Sequence, residues 1–128
     1  MFENDYIMRV IREMVRTLLK LICQIDIEKT EELQMDEETA TKLARLERLV
    51  DDGNINQAEN ELLEQTDTAN PQGLQLALLF YEYLNQKDTE FLKTHDFSRE
   101  EISDGIKSIV NFYGYGSTLA AVAQEELE

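Results

Sequence analysis

Apolar residues recur along this chain three and four positions apart, and no segment alternates convincingly enough to be a strand. Ile7, Ile11, Met14, Leu18, Leu21 and Ile25 make a seam with the rhythm of paired helices. Tyr6, Val10, Val15, Leu19 and Ile22 broaden that seam into a wide face, and the pattern predicts a first helix from Asn4 or Asp5 to Cys23. Arg9, Arg12, Arg16 and Lys20 fall on one polar ridge of the same helix. A face this wide needs cover on more than one side.

The rhythm is lost from Asp26 to Glu38, where acids accumulate and a solvated connection is expected. Asp36 is then placed to cap a second helix, about Glu37 to Val50, with Leu43, Leu46, Leu49 and Val50 as its stripe. "DDGN" ends it, with Gly53 free to take the left-handed conformation of a helix stop. Asn54 and Gln57 have the spacing of a variant capping box for a third helix carrying Ile55, Ala58, Leu62 and Leu63. In "TANPQG", Asn70 can cap and Pro71 suits the first helical position, where a missing N–H costs nothing.

The fourth helix, about Pro71 to Asn85, is apolar nearly all round, with Leu74, Leu76, Leu78, Leu79, Phe80, Tyr81, Tyr83 and Leu84. A helix of that kind belongs at the centre of a fold. Asp88 can cap a short helix containing Phe91 and Leu92, and "SREE" at Ser98 to Glu101 is a capping box for a helix running to about Tyr113. Gly114 and Gly116 break it, and Ser117 to Leu127 closes the chain with a weak stripe of Leu119, Val122 and Leu127. One proline and five glycines among 128 residues suit long helices. The length suits one domain able to bury roughly two-thirds of its unfolded surface.

Charge narrows the partners. The net charge is -15, yet residues 1–25 hold four basic and three acidic groups, which leaves -16 on residues 26–128. Such acidity argues against nucleic acid, whose phosphates are held by clustered lysine and arginine. The opening "MFENDY" places acids where a secretory signal would place positive charge, and Arg9, Arg12, Glu13, Arg16 and Lys20 interrupt any window long enough to span a bilayer. A lone cysteine, Cys23, on an apolar helix reads as a buried, inert thiol and points to the cytoplasm.

A shift of 34 residues superposes Leu46 on Phe80, Leu49 on Tyr83, Val50 on Leu84 and Asn54 on Asp88. "GNINQAENELLEQ" followed by "NP" resembles the turn and second helix of a tetratricopeptide repeat, with Gly53 at the turn, Ala58 at the close approach and Leu62 as its packing partner. The resemblance spans at best Lys42 to Leu92 and departs from the pattern at Lys87, where the turn glycine is replaced. It implies binding of an extended peptide or partner helix, with no binding residues to carry over. "FENDYIMRVIREMVRTLLKLI" also resembles an uncharacterised family of small bacterial proteins, which implies a bacterial cytosolic protein and no particular activity.

Catalytic spacing is missing. His95, the sole histidine, has no partner at metal-ligand or acid–base spacing and reads as a surface or capping residue. "DDGN" lacks the upstream oxygen ligands of a calcium loop, and "GYGS" lacks the lysine of a phosphate loop. No cofactor or metal is expected. The expectation is therefore an all-α, compact helical array: a basic amphipathic helix over 1–25, a TPR-like antiparallel helix-pair core over 37–94 and a C-terminal helix pair over 98–127. Its expected role is a non-catalytic interaction or scaffold module with a protein or peptide partner, homodimeric through Ile7, Ile11, Met14, Leu18 and Leu21, with a membrane role disfavoured. The competing expectation is an enzyme or small-ligand binder with an interhelical pocket near His95, Tyr113 and Tyr115.

Overall fold

A computed structural model describes residues 2–23 and 35–127. Among them are seven α-helices and no strand: α1 (Phe2–Leu18), α2 (Glu37–Asp51), α3 (Ile55–Glu64), α4 (Pro71–Asn85), α5 (Thr89–Thr94), α6 (Arg99–Phe112) and α7 (Gly116–Leu127). A single π-helical turn, Leu19–Cys23, continues α1. The expected acidic connection and Ile25 lie, up to residue 34, outside the described residues.

Local chemistry explains most boundaries. Asp36 Oδ1 accepts from Thr39 N at 2.7 Å to start α2, and Asp88 Oδ1 from Phe91 N at 2.7 Å to start α5. Ser98 and Glu101 close the reciprocal capping box of α6. The capping box expected at α3 does not form. Asn54 makes no side-chain cap bond there, and Gln57 Nε2 instead donates to Glu61 at 3.2 Å. Glu61 is simultaneously gripped by Arg45 at 2.7 and 2.9 Å, so Gln57 joins a bond network that ties α2 to α3.

Three helices stop by the same device. After α2, Gly53 N–H donates to Val50 O and Asn54 N–H to Leu49 O; after α6, Gly114 N–H donates to Asn111 O and Tyr115 N–H to Val110 O. These paired bonds satisfy the last carbonyls when the intervening residue is left-handed, and Gly53 and Gly114 have φ of 86° and 87°. Asp96 performs the same turn after α5 at φ 57°, tolerable for a short polar side chain.

As its composition required, α4 is central. It packs against α1, α2 and α6, while α7 covers α1 and α6. Leu74, Leu78, Phe80, Tyr81 and Leu84 are buried in one core with Val15, Leu18, Leu19, Leu46, Val50, Ile102, Ile106 and Val110. Positions related by 34 residues share their burial: Leu46 with Phe80 and Val50 with Leu84 are buried, and Leu49 with Tyr83 are half-buried.

The apolar seam of α1 serves this core. Ile11, Met14 and Leu18 are buried within the chain and Ile7 is half-buried against the core, so of the five residues expected to face a second copy only Leu21 is exposed, at 60%. The π-turn supplies the reason. Its bonds close over five residues rather than four, so three steps fall well short of a full turn and Leu21 does not return to the line of Leu18.

A polar cluster sits at the far end of α4. Asn85 Nδ2 donates to Met8 O at 2.9 Å, and Arg99 donates to Asn85 O at 2.7 Å, to Asn85 Oδ1 at 3.1 Å and to Lys87 O at 2.7 Å. Beside it, burial pushes the Glu82 carboxyl above the ordinary glutamate range, against the opposing pull of hydrogen bonds from Gln86 and Asn85 and the charges of Arg12 and Arg99. The folded state therefore holds this proton more tightly than the unfolded one. That preference stabilises the fold below the ordinary range and is lost as pH rises through the elevated value. Glu82→Gln should accordingly be more stable than the wild type at neutral pH, with the advantage fading on acidification. Urea midpoints at neutral and acidic pH check this, and an advantage that grew on acidification would contradict it.

Candidate functional site

At the opposite end of α4, three connections converge on a cavity of about 330 Å³. The π-turn contributes Ile22 and Cys23, the α3–α4 loop Thr68, the first turns of α4 Gln72, Leu74 and Gln75, and the α6–α7 turn Tyr113 and Tyr115. The sequence accounts for the placement of each wall. Asn70 Oδ1 accepts from Gln72 N at 3.1 Å and so starts α4 at the cavity's edge. Tyr115 donates the second bond of the stop after α6, which fixes its backbone at the mouth.

Tyr113 crosses the gap between α6 and α4. Its hydroxyl lies so close to Gly73 that any Cβ there would collide with it, and it accepts from Asp67 N at 3.3 Å. Gln72 Oε1 accepts from Asp36 N at 3.1 Å, so one wall of the cavity also anchors the start of α2. Gln75 is different. It is 5% exposed, and its buried Nε2 has no hydrogen-bond partner among the described residues. Buried polar atoms are nearly always paired, so an orphan amide in a cavity wall is unusual.

Residues 1–114 match the model of a family of unknown function, DUF6483. The chain belongs to this family. No curated protein and no solved structure matches it. In this DUF6483 chain the matched span contains every cavity-lining residue except Tyr115.

Among the described residues of the DUF6483 protein, no charged side chain lines the cavity. Burial pushes the Cys23 thiol up, which keeps it protonated and weakly nucleophilic. Next to the lining residue Tyr113, Phe112 is 53% exposed and meets it edge to face, and Tyr115 is also exposed. Leu21, also exposed, neighbours Ile22 in the π-turn.

Of the three residues expected around an interhelical pocket, Tyr113 and Tyr115 come together here and His95 does not. His95 ends α5, where its Nδ1 pairs with Phe91 O at 2.8 Å and its ring lies against Gly53. Gln75, Gln72 and Thr68 belong to no sequence motif that would mark them as site residues. The available signal was the lone amide inside "LQLALLF", a polar residue on a helix otherwise destined for burial. Among the described residues there is no group of three or more His, Cys, Asp or Glu side chains that could hold a metal ion, and no helix is long and apolar enough to cross a membrane.

Proposed function

We propose that this protein is a non-catalytic interaction module of the bacterial cytoplasm that associates with a protein partner, including a second copy of itself, at the corner formed by the π-turn and the α6–α7 turn. The observation that carries this reading is a set of large apolar side chains left in solvent: Tyr115, which lines the cavity, and Leu21 and Phe112, the chain neighbours of its lining residues Ile22 and Tyr113. Aromatic side chains next to a pocket are the usual anchors of protein recognition. Self-association through the N-terminal helix is retained in this form, with Leu21 as the contact that the core does not use. The TPR-like reading of α2 to α5 draws support from the equal burial of positions 34 apart.

Sedimentation equilibrium from low to high micromolar concentration tests the proposal. The wild type should move from monomer to dimer mass, while Leu21→Glu and Phe112→Glu should remain monomeric, with thermal midpoints equal to the wild type's at concentrations where the wild type is itself monomeric. A wild type that stays monomeric throughout ends the self-association reading.

A second reading, an enzyme or small-ligand binder, is favoured by one observation: the orphan amide of Gln75 in the wall of a cavity shared with Tyr113 and Tyr115. The cavity volume is at the small end of the range typical of small-molecule sites.

A further inference from the structure

We infer that the groove between α3 and α6 is a second docking surface, which seats a lysine- or arginine-bearing segment of a protein partner. It shares no lining residue with the cavity at the π-turn, so it stands or falls apart from the corner proposed above.

The fold leaves this groove open. α3 packs mainly on α2, and α6 on α4, α1 and α7, so the two helices flank a cavity of about 310 Å³ without closing it. Asn56, Glu59 and Leu63 lie on one stripe of α3, and Glu101, Asp104, Gly105 and Ser108 on one stripe of α6. Gly105 lets α6 settle on Tyr81 at the bottom of the gap, since a Cβ there would strike the ring.

Leu63 and the carboxylates together name the occupant. Leu63 is 48% exposed and offers an apolar contact inside the groove. Glu59, Glu101 and Asp104 surround it on a chain of net charge -15, so the local field draws cations. Two of these carboxylates are held in place: Glu59 accepts from the Tyr81 hydroxyl at 2.7 Å and Glu101 from Ser98 N at 2.8 Å. Among the described residues they do not converge into a group that could hold a metal ion. A lysine or arginine side chain matches both features, laying its aliphatic stem along Leu63 and its charge among the carboxylates.

The probe is a synthetic amphipathic peptide of lysine and leucine at helical spacing, its affinity for the full chain read by fluorescence anisotropy. Saturable binding is expected, weakened about tenfold or more in Asp104→Lys and in Leu63→Ser. Glu38→Lys, an equal change in net charge outside the groove, should weaken it by less than about threefold. Asp104 and Leu63 are exposed, so both variants should keep the wild-type thermal midpoint. Equal losses in all three variants would reduce the attraction to net charge, and an unsaturable peptide would remove the surface; either overturns the proposal. Spermidine that binds as tightly as the peptide and loses as much in Asp104→Lys would make the occupant a polyamine, and a dimer mass abolished by Asp104→Lys would make it a second copy. Each of those results also overturns the assignment to a basic partner.

Discussion

Replacing Arg99 with alanine should cost about 3–5 kcal/mol of folding stability, read as a fall in the urea midpoint with little change in slope. Arg99 is 4% exposed at the start of α6, yet its guanidinium reaches back to the end of α4 and donates to two backbone carbonyls and to Asn85 Oδ1. Those acceptors are the groups that a helix end leaves unpaired. Without Arg99 they would be buried with neither water nor donor, and the Glu82 carboxyl beside them would lose a favourable positive charge. Arg99→Lys should rescue only part of the loss, because one ammonium cannot reproduce a planar fork that reaches several oxygens at once. A midpoint unchanged in Arg99→Ala would mean that water satisfies this end of α4.

Leu18→Ala should cost about 2–5 kcal/mol, and by the same amount at every protein concentration. Leu18 is fully buried among residues of its own chain, so truncation removes packing and leaves a hole inside the monomer. Were Leu18 instead held by a second copy, its contribution would scale with protein concentration through mass action. Thermal or urea unfolding at two widely separated concentrations distinguishes these cases. Leu21→Ala is the control: as an exposed residue it should alter monomer stability by no more than about 0.5 kcal/mol.

These expectations mark where sequence and structure part company. Helix existence, the caps at Asp36, Asp88 and Ser98 and the stops at Gly53 and Gly114 were all legible, because each depends on groups within a few residues of one another. The exception at Asn54 is instructive. Its spacing with Gln57 fitted a capping box, but the Asn54 N–H that Gln57 would have accepted is already donated to Leu49 O in the stop of α2. The start of one helix lost its donor to the stop of the helix before it.

The candidate site was legible only in part. Tyr113 and Tyr115 could be singled out from the glycine-flanked turn, while their meeting with Gln75, Gln72, Thr68 and Cys23 depends on three connections distant in sequence. His95 could not be separated from them by sequence, since nothing in "KTHDFS" indicates that its ring turns toward Gly53. Arg99 was readable as a member of the "SREE" cap and unreadable as the residue that closes α4.

By itself, the sequence determined that this is an all-helical protein with α4 at its centre, because helix periodicity, capping and apolar content act over short range or over a whole segment. Only the tertiary structure decided which apolar surface stays in solvent. The seam of α1 had the same pattern whether it faced α4, α6 and α7 or a second copy, and the choice was made by packing together with a π-turn that swings Leu21 outward. The same holds for Gln75: one amide in a leucine-rich helix is satisfied or orphaned according to what the fold brings within about 3 Å of it.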